Sequence, residues 1–560
     1  MQVLYNNFAA TLPFFIRLLE TCDFYAFDNE MTGVGMPKVS DLITFSSEES
    51  YHCKRMAASH YNLIQIGLCL FHRSGTVGDV AQYTASPFNF VLFPQSMEEA
   101  GGALLGRNIS TDIVMGSSAL AFLRRHGMDF QSWVYEGIGY CDEDQARVWR
   151  DHWKEQRGEG TTNAVAVEKG VDGDLFSDEE RSWVEASIKA AKELQQRADA
   201  AGRGAATKCV CGLKMMNKSA SEVEVPGGRE VLLECQSSRS AREYLTAYLK
   251  SHLPRVTVTY RRQGKMFAGT LCVFSEEEIQ SKVAKERATQ DCDELNSLGF
   301  RLVFEALVKS RKPCVGHNCF MDLLFLMAAL DRALPEELPS WKARVSELFP
   351  TVLDTKYIAT RVDRFPLGYF KKLNLGSLFE NYGMQSQEVK VSLPLGFQSY
   401  DPLTFLTLSR RSSSGGTAAG PAHEAGYDAL MTGTLLLNLL AEMGYNSVAD
   451  APADLVNKTS VFNSLYAVDL GRADGDEYTP GERGVLDLRH AAHVKWFEVE
   501  GCVTASGVNN ITLHSVDKER TIVVLPPLQD CDPKTIEETL STRFSHILRE
   551  VSMYKPPHLA

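Results

Sequence analysis

Residues 24–34 read FYAFDNEMTGV. This stretch predicts a strand over Phe24–Glu30, in which an apolar run ends at two carboxylates, Asp28 and Glu30. Residues two apart in a strand project to the same side, so both carboxylates converge on one spot. Paired oxygen ligands suit a hard divalent cation such as Mg²⁺. A solvated acidic strand end is the alternative that this stretch alone leaves open.

Strand and helix patterns alternate on both sides of a long polar interruption. Two more strands, at 62–71 and 88–93, precede a helix near 111–127. The alternation resumes after residue 290 as helix, strand, helix and strand, in LVFEALVKS, PCVGHN, CFMDLLFLMAAL and TVLDTKYI. This mixed order predicts an α/β sheet with helices packed on its faces.

Length and charge limit the classes of protein to consider. The chain has 560 residues, 23% of them charged, and a formal net charge of −13. It therefore lacks a global basic field, and any nucleic acid must be held locally, with bound metal ions supplying positive charge. The N-terminus lacks the basic region of a signal peptide, and the longest apolar run is too short to span a bilayer. We expect a soluble intracellular protein without a membrane partner.

A second acidic residue of interest, Asp322, lies in GHNCFMDLLFLM at the start of a strongly apolar helix. The helix macrodipole stabilises a carboxylate at that end, so a capping role is the competing interpretation. The neighbours at 320–330 are almost all apolar, however, and burial of an unpaired carboxylate is costly. A metal partner would offset that cost.

The third segment is HEAGYDALMTG, after the low-complexity stretch 411–420. His423 and Asp428 are five residues apart, so they cannot share one face of a helix. We expect Asp428 to begin the helix and His423 to lie on the approach to it. A lone histidine in such a place is usually an ordinary surface residue.

Together the three segments supply four carboxylates and one imidazole. These side chains are the ones that phosphoryl transfer assisted by two metal ions requires. A histidine side chain ordinarily titrates near neutral pH, which suits His423 to act as the general base that takes the proton of the attacking water.

These residues resemble the DEDD exonuclease superfamily, in the subclass that carries a histidine, and more closely the CAF1-type poly(A)-specific ribonuclease (PARN) family of deadenylases. The matching motifs are FDNEMTGV, NLIQIGLCLF, SPFNFVLFP, MGSSALAFLRRHGMDFQSWVYEGIGY, GHNCFMDLL, FPTVLDTKYIAT and HEAGYDALMTG, in the family order. The resemblance implies a Mg²⁺-dependent 3′→5′ exoribonuclease that removes poly(A) tails and releases 5′-AMP.

Carried over by position, the acidic residues Asp28, Glu30, Asp322 and Asp428 match the family's ligands for two Mg²⁺ ions, for which Mn²⁺ can substitute. His423 matches its general base. Substrate-contacting positions fall on Met31, Val34 and Lys356. A methionine stacks on adenine less well than the family's usual aromatic residue, which leaves adenine preference open. Asn29 replaces a small residue, and we expect it to face away from the ligands with little effect.

The family also implies an architecture. A ribonuclease H-like exonuclease domain with a mixed sheet would occupy 1–150 and 289–450. An inserted α/β nucleic-acid-binding module would lie at 151–288, without the Arg-x-x-x-His spacing of the family. An RNA-recognition-like α/β module would lie at 451–560, without its base-stacking aromatic strand. We further expect a homodimer that binds single-stranded RNA at a poly(A) 3′ end. The missing basic import signal favours the cytoplasm without excluding the nucleus.

Two alternatives remain open at the level of sequence. One is a trimmer of the 3′ ends of small non-coding RNA, with relaxed base preference. The other is a catalytically inactive RNA-binding scaffold, against which the complete set of five chemical residues argues.

Overall fold

The structure is a computed structural model that describes residues 1–37, 39, 45–78, 80–94, 112–157, 176–200, 212–213, 230–235, 239–263, 266–274, 276–361, 364–365, 369–370, 372–383, 388–401, 424–462, 464, 466–472, 476–478, 485–487 and 522–524. It divides into two compact units. Unit 1 comprises Met1–Arg147 and Leu295–Ala560, and unit 2 comprises Val148–Glu294. Each unit is described by itself below.

The elements of the first half, in chain order, are β1 (Gln2–Val3), α1 (Tyr5–Thr21), β2 (Phe24–Met31), α2 (Ser47–His60), β3 (Leu63–Val77), β4 (Val80–Val91), α3 (Ser117–Arg125), α4 (Phe130–Glu136), α5 (Glu143–Gln156), α6 (Asp178–Ala200), β5 (Gly212–Leu213), β6 (Glu230–Cys235), α7 (Arg239–His252), β7 (Val256–Gln263) and β8 (Met266–Val273).

The elements of the second half are α8 (Glu276–Leu298), α9 (Arg301–Ser310), β9 (Cys314–Gly316), α10 (Phe320–Leu330), α11 (Leu338–Leu348), β10 (Val352–Asp354), α12 (Thr355–Ala359), α13 (Leu375–Leu378), β11 (Val389–Ser392), α14 (Ala425–Glu442), β12 (Lys458–Ser460), β13 (Tyr466–Asp469), β14 (Asp476–Tyr478), β15 (Val485–Asp487) and β16 (Ile522–Val524).

Unit 1 is built on a mixed sheet with the strand order β1-β4-β3-β2-β9-β10, and β11 also pairs with β4. β2, β3 and β4 are antiparallel neighbours, whereas β9 runs parallel to β2 and β10 parallel to β9. The predicted α/β fold with a mixed sheet is confirmed. β2 lies in the middle of the sheet. Other elements pack on both faces of the sheet at the end of this strand.

Side-chain alternation along β2 divides the core between the two faces of the sheet. Tyr25 and Phe27 belong to a cluster shared with α1, α2, α9, α10 and α11. Phe24 and Ala26 belong to a second cluster, which includes the buried residues of α14. The α10 side and the α14 side of the sheet are named accordingly below. Because β2 is covered on both faces, its sequence is a continuous run of apolar residues and does not alternate between apolar and polar ones.

Residues after the predicted boundary at 450 also belong to this core. Leu455 and Ala467 pack on the α14 side, and Val468 and Leu470 pack on the α10 side. The Asn457 backbone N–H donates to the carbonyl of Val352, 2.7 Å away. Residues 488–521 and 525–560 lie outside the described residues, and the prediction of an RNA-recognition-like module falls largely on them.

Unit 2 contains a four-stranded sheet of order β5-β6-β8-β7. Helices α6 and α7 share a hydrophobic core with it, which includes Trp183, Leu245 and Leu271. Helix α7 and the antiparallel pair β7–β8 lie within the segment 151–288, for which the sequence predicted an inserted α/β module.

Two secondary-structure predictions need correction. The strand predicted over TVLDTKYI ends at Asp354, where the carboxylate caps α12 by accepting the backbone N–H groups of Lys356 and Tyr357. The strand predicted over 88–93 begins instead at Val80, because it pairs with β3 along its whole length. Within the described residues, no helix combines the length and the apolar character needed to cross a membrane.

Candidate active site

The end of β2 presents two carboxylates toward the α14 side of the sheet. Asp28 and Glu30 continue the even-numbered positions of Phe24 and Ala26, which face α14. Both side chains are half-buried. The spacing of two residues therefore brings the two carboxylates to one face, as the sequence predicted.

Asp428 joins this pair from the first turn of α14. Asp28, Glu30 and Asp428 each offer a carboxylate oxygen, and these oxygens all lie within 4.8 Å of one another. The helix can approach the sheet this closely because residue 67 on the neighbouring strand is glycine. A Cβ at Gly67 would lie 1.8 Å from the carbonyl oxygen of Ala425, at the start of α14.

Asp322 comes from the other face of the sheet, in the first turn of α10, and is buried with 9% exposure. Its Oδ1 accepts the backbone N–H of Asn29 at 3.2 Å. The Asn29 side-chain amide donates to the backbone carbonyl of Asp322 at 2.9 Å. Asn29 does face away from Asp28 and Glu30, and on that side it makes two hydrogen bonds to the fourth acidic residue.

Burial and the neighbouring carboxylates raise the pKa values of Asp28 and Glu30. Burial raises the pKa of Asp28 well above its usual range, and the charges of Asp428, Asp322 and Glu30 raise it further. Burial, Asp428 and Asp322 act on Glu30 in the same direction. Burial also raises the pKa of Asp322 to about 7, while the Asn29 N–H opposes that shift. Asp322 is thus coupled electrostatically to the other acidic residues.

The donor set fits a divalent metal. All four groups are carboxylates, the hard oxygen ligands that Mg²⁺ and Mn²⁺ accept. Like charges this close cannot all stay ionised without a counter-charge, and raised pKa values are the consequence when protons supply it. A divalent cation would replace those protons. Asp28, Glu30, Asp322 and Asp428 are the residues that would hold it.

A further carboxylate, Asp354, organises the loop that leads into α10. It is fully buried at the end of β10. Its oxygens accept five backbone N–H groups at 2.9–3.2 Å, those of Asn318, Cys319, Lys356, Tyr357 and Ser460. Asp354 therefore fixes the start of α10, where Asp322 lies, to α12 and β12.

The predicted substrate-contacting residues lie on two segments. Met31 and Val34 follow the two carboxylates of β2, and Lys356 follows Asp354. Met31 ends β2 at a register shift after Glu30 and packs partly buried against the core of the α10 side. Val34 follows in the next turn and is 61% exposed. Lys356 lies in α12, half-buried, and its charge lowers the pKa of His317.

His423 lies outside the described residues, so its predicted place on the approach to α14 stays a prediction. The next residue, Glu424, is the N-cap of α14 and accepts a hydrogen bond from the hydroxyl of Tyr400. This hydrogen bond therefore joins the two described segments that flank residues 402–423.

Another histidine near the site, His317, has a structural role. Its Nδ1 lies 2.9 Å from the Thr355 hydroxyl and its Nε2 lies 3.1 Å from the Leu373 carbonyl. Burial, with the nearby charge of Lys356, lowers its pKa to about 3. A ring with both nitrogens engaged and so low a pKa does not suit a general base near neutral pH.

Sequence reasoning missed three residues that shape this site: Asn29, Gly67 and Asp354. Asn29 and Asp354 lie in motifs that were noticed for other residues, FDNE and LDTK. A glycine inside the strand-like run NLIQIGLCLF was a usable signal, because glycine within a strand often marks a close backbone approach.

Comparison with known proteins gives one family. The family model described as CAF1 family ribonuclease matches residues 3–436. The Xenopus laevis poly(A)-specific ribonuclease PARN is 25% identical over 551 residues, which cover 94% of this chain and 77% of that protein. Its Homo sapiens counterpart is 24% identical over 552 residues, 94% of this chain and 76% of that protein. The Mus musculus poly(A)-specific ribonuclease PNLDC1 is 25% identical over 470 residues, covering 81% and 74%.

Proposed function

Because the chain belongs to the CAF1 family of ribonucleases, we propose that it is a Mg²⁺-dependent 3′→5′ exoribonuclease that shortens poly(A) tails and releases 5′-AMP. The observation that carries this proposal is the convergence of Asp28, Glu30 and Asp428, whose carboxylate oxygens lie within 4.8 Å of one another. Asp322 adds its charge from the other face of the sheet. The names of the relatives support poly(A) as the substrate.

The cluster of acidic residues explains the chemistry we assign to the site. Two bound Mg²⁺ ions would supply an activated water and stabilisation of the leaving 3′ oxygen. The four carboxylates would hold the ions, two from β2 and one each from α10 and α14. Because these ligands come from the sheet and from both of its faces, their relative positions are set by the packed core rather than by a loop.

We assign the general base to His423, five residues before Asp428. Its imidazole would take the proton of the attacking water, and an unperturbed histidine titrates in the range that this step needs. The resemblance of HEAGYDALMTG to the family motif supports the assignment. His317 is a poor candidate for the same role, for the reasons given above.

Base recognition is assigned to Met31, Val34 and Lys356. Met31 and Val34 follow Glu30 within four residues, so a nucleotide bound at the carboxylates would contact this stretch. Apolar side chains at a base-binding site favour stacking over hydrogen-bond readout, and methionine stacks less well than an aromatic ring. This supports a moderate rather than strict preference for adenine.

The test is digestion of 5′-labelled oligo(A), oligo(U) and single-stranded DNA of equal length in Mg²⁺, with product identification. We expect stepwise shortening of oligo(A) from the 3′ end, with 5′-AMP as the product, and slower shortening of oligo(U). Equal rates on both RNAs would favour the small-RNA trimmer. Failure to shorten any RNA, in a protein that still binds RNA, would favour the scaffold. The homodimer is a further part of the proposal, and light scattering on the full chain would test it.

A further inference from the structure

The four acidic residues are not positioned in the same way. Asp28 and Glu30 belong to one strand, and Asp428 is brought to them by the contact of α14 with Gly67. These three make up the group whose oxygens lie within 4.8 Å of one another. Asp322 begins a different helix on the opposite face of the sheet. Its place at the site must therefore be set by contacts of its own.

Asn29 makes those contacts with both its backbone and its side chain. Tyr25, four residues earlier in β2, donates its N–H to the carbonyl of Pro313, just before β9. β9 ends at Gly316, and the Asn29 N–H, which points the same way, donates to Oδ1 of Asp322 instead. The Asp322 carboxylate thus takes the position that a longer β9 would occupy.

The side-chain bond fixes the same residue at a second point. The Asn29 amide donates to the backbone carbonyl of Asp322 at 2.9 Å. A carbonyl oxygen can only accept, so the amide nitrogen must face it. Asn29 is 5% exposed, which means that this bond is formed away from competing water. With one bond to the main chain and one to the side chain, both the helix turn and the carboxylate are oriented.

We propose that Asn29 is a positioning residue that holds Asp322 at the carboxylate cluster and thereby sets the affinity of the site for its divalent cation. The inference rests on the proposed function, because it concerns the same metal site. Outer contacts that orient a ligand typically change metal affinity by about 10–100-fold when they are removed. Position 29 lies between Asp28 and Glu30 and yet acts on the ligand from the other face of the sheet.

The experiment measures Mn²⁺ binding by the full chain without RNA, from the electron paramagnetic resonance signal of free Mn²⁺. Asn29→Leu keeps the side-chain volume and removes the amide donor. Asn29→Ala removes the amide donor and most of the side-chain volume. We expect each to weaken Mn²⁺ binding about tenfold. In the nuclease assay, the Mg²⁺ concentration for half-maximal rate should rise by a similar factor, while the rate at saturating Mg²⁺ recovers toward that of the wild type.

Asn438 provides a matched control. It is 7% exposed, and its amide also donates to backbone carbonyls, those of Gly383 and Thr434. It lies ten residues after Asp428 in α14, roughly 15 Å along the axis at 1.5 Å per residue. Asn438→Ala should lower the melting temperature as the Asn29 variants do, but bind Mn²⁺ as the wild type does.

Two outcomes overturn the inference and are distinguishable. If Asn29→Leu binds Mn²⁺ as tightly as the wild type and Asn438→Ala, Asn29 does not position a ligand, and the proposed function is untouched. If the wild-type chain itself binds no Mn²⁺, the proposed function fails and the inference fails with it.

Discussion

A Cβ atom on Gly67 would lie 1.8 Å from the backbone carbonyl oxygen of Ala425. Gly67 is the residue of β3 that pairs with Asp28, and Ala425 is the first residue of α14, three before Asp428. The absence of a side chain at position 67 lets the helix touch the sheet directly beside Asp28. One backbone contact therefore determines how closely two of the four acidic residues approach.

Gly67→Ala should displace α14 and separate Asp428 from Asp28. We expect a loss of about 1–3 kcal/mol in the free energy of unfolding from overpacking, together with loss of Mn²⁺ binding and nuclease activity. Gly376→Ala is the control, because a Cβ there meets its nearest neighbour at an ordinary 3.9 Å. If Gly67→Ala retains wild-type Mn²⁺ affinity, the close approach of α14 is not required for the site.

Asp28→Asn should abolish activity and yet stabilise the metal-free protein. The other carboxylates and burial raise the Asp28 pKa, so removal of its charge relieves repulsion in the folded state. Sites built for function often sacrifice stability in this way, and we expect a gain on the order of 1 kcal/mol. Thermal melting with and without Mg²⁺ checks this. The variant should melt above the wild type without Mg²⁺, and a lower melting temperature would count against the repulsion argument.

Metal binding should strengthen with pH through the titration of Asp322. Burial raises its folded-state pKa to about 7, whereas an unfolded aspartate titrates near about 4. The folded protein thus holds this proton more tightly, and the stability that the proton contributes is present below pH about 4 and lost as pH rises toward 7. Mg²⁺ competes with the proton.

The rise in melting temperature that Mg²⁺ produces should therefore be larger at pH 8 than at pH 6. Asp322→Asn removes one of the titrating carboxylates and should reduce that difference between the two pH values. An equal effect of Mg²⁺ at both pH values in the wild type would be incompatible with a titrating ligand at this site.

Asp354 should prove to be a stabilising residue with an indirect effect on activity. Asp354→Asn replaces an acceptor oxygen with a donor that faces backbone N–H groups, and breaking a buried network of this kind costs about 3 kcal/mol. Urea denaturation should show the loss. Asp112→Asn changes the same residue type at an exposed position and should have little effect. A denaturation midpoint for Asp354→Asn equal to that of the wild type would show that the five N–H contacts are dispensable.

His423→Ala should separate catalysis from metal binding. Loss of a general base costs roughly 10²–10⁴-fold in rate, while the four carboxylates remain to bind Mn²⁺. Single-turnover digestion of oligo(A) and a Mn²⁺ titration on the same preparation provide the two measurements. A variant that loses Mn²⁺ affinity in proportion to its rate would identify His423 as a metal-site residue instead.

The sequence was most informative where the chemistry depends on short spacing. Asp28 and Glu30 lie two apart in a strand, and that period alone placed them on one face. The end of β10 at Asp354 was not predicted, since the backbone N–H groups that this carboxylate accepts come from as far away as Ser460, which is 106 residues later.

The contacts of Asn29 could not be predicted for a related reason. Strand alternation correctly directed its side chain away from Asp28 and Glu30. Alternation does not reveal what lies on the other face, however, and there the first turn of α10 brings Asp322 from 293 residues away. Gly67 likewise has meaning only once α14 is packed against β3. Long-range packing, rather than local propensity, determined what the sequence could not predict.

The most direct test of the four-carboxylate site is anomalous diffraction from crystals of the full chain soaked in Mn²⁺. We expect two anomalous peaks about 3.5–4 Å apart, coordinated by oxygens of Asp28, Glu30, Asp322 and Asp428. An anomalous map without a peak at these carboxylates, in crystals that hold Mn²⁺ elsewhere, would contradict it.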